Sequence, residues 1–417
     1  MNTSHPARHL LPGLLAVSCS LPALAAESGF LENGKASLNL RNFYINRNFV
    51  DPDNAQSKAE EWTQSVILDA RSGFTQGTVG FGVDVLGLYS VKLDGGRGTA
   101  GTHLLPVHDD GRPADDFGRL GVAFKAKVSE TELKVGEWMP VLPILRADDG
   151  RSLPQTFRGA QIASREIAGL SLYGGQFRGN SPRNDASMDD MFLNGRPAAT
   201  SDRFDFAAGE YAFNDKRTLV GLWHAQLKDI YQQQYLNLQH SQPVGDWTLT
   251  ANLGYFIGQE DGSARVGDLD NRTASAMLSA RYQSHTFYLG LQKVSGDDAW
   301  LRVNGTSGGT LANDSYNSSF DNAKERSWQV RHDYNFASLG IPGLTLMNRY
   351  IKGDHVQTAA VDDGKEWARE SELAYVVQSG ALKDLALKWR NSTLRRDYNT
   401  NAFDENRLIV SYPLSLL

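Results

Sequence analysis

The chain has 417 residues, 41% of them hydrophobic and 22% charged, with 40 Gly, a single Cys and a formal charge of -6. A mean hydropathy of -0.41, with no uncharged apolar run of ~18 residues beyond the first thirty, excludes a protein that crosses a membrane with helices but not one that crosses with strands. The acidic balance, with a pI near 5.9, argues against nucleic acid as a partner, because phosphate binding needs a basic footprint.

In chain order, residues 1–25 read as a cleaved secretory signal: Arg8, an apolar core from Leu10 to Leu24, and the small-residue site Ala23-Leu24-Ala25. The only cysteine, Cys19, falls inside it, so the exported chain is expected to carry no disulfide. A lipoprotein site at Leu15-Ala16-Val17-Ser18-Cys19 is the weaker reading, since Ala16 stands where Leu is usual. Residues 26–417 show no linker or composition shift and are expected to form one domain.

From Leu38 onward apolar and polar residues alternate over segments of ~10 residues, the period that puts one kind of side chain on each face of a strand. Leu120, Val122, Phe124, Ala126 and Val128 alternate with Gly121, Ala123, Lys125 and Lys127. Trp247, Leu249, Ala251, Leu253, Tyr255 and Ile257 form a second such set, and Trp328, Val330, His332 and Tyr334 a third. Leu385, Leu387 and Trp389 follow, and Leu408, Val410, Tyr412 and Leu414 close the chain.

A soluble sandwich would show the same alternation. Aromatics at strand ends (Trp62, Trp223, Trp247, Trp328, Tyr350, Tyr375, Tyr412) favour the interfacial girdles of a transmembrane barrel. The connections alternate too: short turns such as Ser129-Glu130 and Leu382-Lys383-Asp384 against long polar stretches. Such asymmetry is expected of periplasmic turns and outer loops. The fold class is therefore an all-β transmembrane antiparallel barrel of about 18 strands. The stretch Met139–Gly159, with Val141-Leu142-Pro143-Ile144-Leu145 at its middle, suits open water poorly and is expected to fold inward and narrow the lumen.

Two motifs are set aside. Gly96-Arg97-Gly98-Thr99-Ala100-Gly101 matches a dinucleotide fingerprint, but prolines follow where a helix should start. Gly305-Thr306-Ser307-Gly308-Gly309 matches a nucleophile elbow without its strand and helix. Nine scattered His give no metal spacing, so no metal and no cofactor is expected.

If the apolar set faces lipid, parity turns Lys125, Lys127, Lys134, Arg331, Arg349, Lys388, Arg390 and Arg407 into the lumen, and in these strands the outward set contains only Lys293 and Lys352, near strand ends. An acidic protein that gathers cations in one channel makes a local positive field able to draw carboxylates inward. Pairing of those cations with lumenal acids is the alternative.

Several long motifs, in order, resemble the OprD-type substrate-specific outer-membrane porins of pseudomonads. They include Ser72-Gly73-Phe74-Thr75-Gln76-Gly77-Thr78-Val79-Gly80-Phe81-Gly82-Val83-Asp84, Arg151-Ser152-Leu153-Pro154-Gln155-Thr156, Ser327-Trp328-Gln329-Val330-Arg331 and Tyr375-Val376-Val377-Gln378-Ser379-Gly380. The terminal run Arg407-Leu408-Ile409-Val410-Ser411-Tyr412-Pro413-Leu414 belongs with them. The resemblance implies an 18-stranded barrel in the outer membrane, touching lipid and lipopolysaccharide and inserted by the barrel-assembly machinery, as a monomer or loose trimer. It also implies a narrow eyelet, with Asp314, Tyr316, Ser319 and Asp321 as candidates, and a basic ladder on which Lys388, Arg390 and Arg407 match family positions. The function expected is passive, selective uptake of small carboxylate-bearing nutrients, such as amino acids, short peptides or organic acids. The rivals are a general porin and a secreted all-β carbohydrate-active enzyme. The loop Asn313–Ser319 departs from the Tyr and Asp arrangement associated with basic amino acids, leaving the carboxylate open.

Overall fold

The computed structural model describes residues 29–417. The expected signal sequence lies outside them. After a helical turn at Gly29–Glu32, the chain builds one 18-stranded antiparallel sheet that closes on itself. The strands are β1 (Lys35–Phe49), β2 (Lys58–Arg71), β3 (Gly80–Asp94), β4 (Asp116–Val128), β5 (Thr131–Trp138) and β6 (Thr156–Ser164). Next come β7 (Leu170–Ser181), β8 (Phe204–Phe213), β9 (Thr218–Leu227), β10 (Tyr231–Val244), β11 (Trp247–Glu260) and β12 (Asp270–Tyr282). The circuit ends with β13 (His285–Gly296), β14 (Arg326–Asn335), β15 (Leu344–Val356), β16 (Gly364–Val376), β17 (Ala386–Arg396) and β18 (Phe403–Ser415). Closure is made by β1 against β18, from Ser37 opposite Ser415 to Phe49 opposite Phe403. No edge is left to recruit another strand.

Alternation sorts the side chains as expected. Leu120 and Phe124 of β4 stand 66% and 67% exposed, while Ala123 between them is buried. An outer surface of bare Leu, Val and Phe is stable only against hydrocarbon. Trp62, Trp247 and Trp328 are each 40% exposed on this outer face. Trp223, expected in the same belt, is instead 2% exposed and stacks on Tyr173 at 5.2 Å. It points inward because this part of the lumen is not aqueous. A second departure is Arg369, which faces outward in mid-strand beyond Lys293 and Lys352.

The turns at one end are tight: Ser129 (φ 51°) and Gln283 (φ 51°) take left-handed conformations in two-residue connections. At the other end most connections are longer, and those at residues 139–155, 182–203 and 297–325 fold into the barrel. Leu142, Ile144 and Leu145 of the first, Met191 and Leu193 of the second, and Trp300, Leu301 and Leu311 of the third pack on Phe157, Phe177, Phe206, Trp223 and Phe256 of the wall. Each such side chain contributes about 1.5–3 kcal/mol by leaving water. These side chains form an apolar core on that side of the lumen, and a polar cavity remains against β1, β17 and β18.

Candidate functional site

The polar half is a cavity of about 880 Å³ between the inward loops and that wall. Strand register builds its lining. Arg349 lies opposite Glu370, Glu372 opposite Arg390, Arg390 opposite Arg407, and Glu405 opposite Arg47. Acids and guanidiniums therefore interleave at one level of the barrel, each cation held by an acid on its own or the next strand. Glu405 serves two: Arg47 Nε donates to its Oε2 at 2.9 Å and Arg407 Nε to its Oε1 at 2.6 Å. Arg390 Nε donates to Glu372 Oε2 at 2.5 Å, and Arg349 is ion-paired with Glu370. Rotamers of long side chains are fixed by these bonds, so the guanidinium faces are presented without further ordering.

Tyr316, at the tip of the 297–325 loop, is the hub. The guanidiniums of Arg390, Arg349 and Arg407 lie 4.2, 4.8 and 5.6 Å from its ring centre. Its hydroxyl donates to Glu372 Oε2 at 3.1 Å, and its carbonyl accepts from Arg407 Nη2 at 3.0 Å. Around it Ser319 Oγ donates to Asp314 Oδ1 at 2.7 Å, and Arg302 pairs with Asp321 at 3.4 Å. The loop is stitched to its neighbour by Ser307 N–H on the Arg146 carbonyl (2.9 Å) and Gln155 on the Asn304 carbonyl (2.9 Å).

Three further basic groups enter from loops. Arg183 pairs with Asp148 at 2.5 Å. Arg151 is buried, donating to the carbonyls of Thr102 and Gly150, and has no carboxylate partner among the described residues. His103 reports the resulting field: burial together with Arg183, Arg151 and Arg47 pushes its imidazole down to about 3, so it is neutral.

The predicted residues divide among stations. Arg349, Arg390 and Arg407 surround Tyr316, and Asp314, Tyr316, Ser319 and Asp321 line the same cavity. Lys388, two residues further toward the tight-turn end, has no ion-pair or hydrogen-bond partner among the described residues. Lys125 and Lys134 share Asp84 at 2.7 and 2.6 Å; Arg331 is held by Asp333 at 2.7 Å; Lys127 pairs loosely with Glu130 at 3.5 Å. Pairing with acids thus holds for every predicted cation except Lys388, those around Tyr316 included. Arg47, Arg151, Arg183 and Arg302 were missed. Register to β18 would have revealed Arg47, whereas nothing in the pattern places a loop arginine. Among the described residues no group of three or more His, Cys, Asp and Glu is placed to hold a metal.

Burial pushes the Asp314 carboxyl up to about 6, against the hydrogen bond from Ser319 and the nearby Arg302 and Arg349. A raised carboxyl takes up its proton as pH falls through 6, removing a negative charge from the cavity. The folded form binds that proton more tightly than the unfolded chain, so this group contributes stability that is lost as pH rises toward 6. Affinity for an anion that stays ionised throughout is therefore expected to rise about two- to fivefold between pH 7 and pH 5. Binding titrations at both pH values check this, and Asp314→Asn is expected to flatten the difference.

Residues 28–416 match the outer membrane porin, OprD family. The chain is 68% identical over 403 residues to the porin-like protein GalP of Pseudomonas putida, covering 96% of this chain and 97% of that one. Among solved structures it is similar to a BenF-like porin from Pseudomonas fluorescens (75% identity, TM-score 0.92). It is likewise similar to Pseudomonas aeruginosa OccK2 in complex with glucuronate (69% identity, TM-score 0.87). Each alignment covers 93% of this chain and all of the other.

Proposed function

This chain belongs to the OprD family of outer-membrane porins, an integral outer-membrane channel and not an enzyme, and we propose that it passes small hydroxylated organic anions, drawn by their carboxylate along the arginine wall. The observation that carries this reading is the guanidinium cluster of Arg47, Arg151, Arg390 and Arg407 on one side of the cavity. A carboxylate shedding water there exchanges it for fixed donors, which offsets its desolvation. The facing loop offers Ser307, Ser315, Asn317 and Ser318, suited to hydroxyl groups.

The ammonium of an amino acid has no obvious counterpart. Asp148, Asp149 and Asp321 already hold arginines, and Asp314 already accepts from Ser319 Oγ. Amino acids and peptides are therefore weaker candidates than sugar acids and related organic acids. The binding of glucuronate by the similar OccK2 supports the same direction. Lipid and lipopolysaccharide around the apolar wall, and insertion by the barrel-assembly machinery, are part of the reading.

Proteoliposome influx tests it with glucuronate and glucose as a pair of similar size. Glucuronate is expected to enter faster and with saturation, and raising salt from about 0.1 to 1 M, which shortens the screening length from about 10 to 3 Å, should erode its advantage. Equal, non-saturating influx of both would favour a general porin.

A further inference from the structure

Eight arginines line the polar cavity, and six of them are paired with a carboxylate. Arg151 and Arg146 are the two without a carboxylate partner among the described residues. Glu405 serves two arginines, which would leave one more cation over, but Asp314 lines the cavity without an ion pair and balances it. Asp149 is matched by Arg41. With every acid ionised, the cavity is left with two surplus positive charges, and the pairing says where they sit.

Both come from the 139–155 loop, which crosses the lumen. Leu145 and Ala147, on either side of Arg146, pack in the apolar core with Phe157 and Phe177. Leu153, beyond Arg151, packs instead with Phe43 and Ile45 of β1. The two charges therefore stand on different sides: Arg151 within electrostatic reach of Arg407 and Arg47, Arg146 against the 297–325 loop. The backbone at Arg146 is fixed there, its carbonyl accepting from Ser307 N–H (2.9 Å) while Thr310 Oγ1 donates to the Pro143 carbonyl (2.9 Å). A Cβ added at Gly309 would lie 3.3 Å from Arg146 Nε, so the side chain rests on bare backbone. The guanidinium itself is exposed to the cavity, with no hydrogen bond or ion pair among the described residues. Its donor fork is free, whereas the other lining arginines are already engaged.

We propose that Arg146 is a second anion station and that the preferred cargo carries two carboxylates joined by a short hydroxylated chain, one end at Arg151, Arg390 and Arg407 and the other at Arg146. The inference rests on the arginine-wall reading and narrows its substrate class to hydroxylated dicarboxylates. A monoanion meets one surplus charge and leaves Arg146 in water. A zwitterion would bring its ammonium against that guanidinium and be repelled. A dianion meets both charges, and the hydroxyls of its middle have Ser307, Ser315 and Ser318 to bond.

Block of single-channel current by glucarate, glucuronate and glucitol, six-carbon hydroxylated solutes with two, one and no carboxylate, tests it at pH 7. Glucarate is expected to block at about tenfold lower concentration than glucuronate, and Arg146→Gln should cut that advantage to about threefold or less. Arg146→Lys should keep part of it, since charge stays and the fork goes. Equal block by the two acids in the wild type, or an undiminished glucarate advantage in Arg146→Gln, would overturn the second station and leave the arginine wall standing. Block by neither acid beyond that of glucitol would sink the wall and the station together. Arg146 makes no side-chain bond, so the variant is expected to fold, which heat-modifiable gel migration checks; should it not, Gly309→Ala, which pushes the guanidinium off its seat, is read in the same way.

Discussion

Replacing Lys388 and Arg390 together with Ala is expected to lower carboxylate uptake tenfold or more while the barrel still folds. Arg390 is the guanidinium nearest the Tyr316 ring and sits on the cavity wall; Lys388 follows it and forms no ion pair among the described residues. A hydrogen bond to a charged group contributes about 1.5–3 kcal/mol, and each 1.4 kcal/mol is a factor of ten. Removing Arg390 also uncovers Glu372, which then repels the incoming anion. Arg390→Lys should recover part of the uptake, since charge returns without the fork. Folding is checked by heat-modifiable gel migration and uptake by labelled solute. Unchanged uptake would make the two cations purely structural.

Glu405→Ala is expected to be the most destabilising single change in the lumen, by about 3–5 kcal/mol, because it strands buried charge. Glu405 and Arg407 are each 1% exposed, and Glu405 is the acid that holds both Arg47 and Arg407. It also accepts from Asn317 Nδ2 at 3.2 Å, so its loss frees the tip of the 297–325 loop. A lower urea midpoint with an enlarged conductance would follow. Adding Arg47→Ala should restore part of the stability by removing one of the stranded cations, a coupling that a double-mutant cycle reads directly.

The barrel was legible because period two is a backbone property and lipid makes the outward set visible. Parity assigned Lys388, Arg390 and Arg407 to the lumen from sequence alone. It failed where both faces of a strand are apolar. Phe43 and Ile45 of β1 pack inward on Leu104, Leu105 and Leu153, which hid Arg47 two residues on. Trp223 misled for the same reason, its lumenal face being covered by loops. Arg151 and Arg183 could not be placed, since a loop's path is set by its packing and not by a period. Tyr316 was a candidate, but its contact with three guanidiniums arises only when β15, β17 and β18 meet the loop.

Single-channel current through the purified protein in a planar bilayer, titrated with glucuronate and then with glucose, tests most directly whether the arginine wall selects carboxylates. Small conductance with saturable block by glucuronate, weakened by salt and lost in Lys388→Ala/Arg390→Ala, is the expected result. A large current indifferent to both solutes would contradict it.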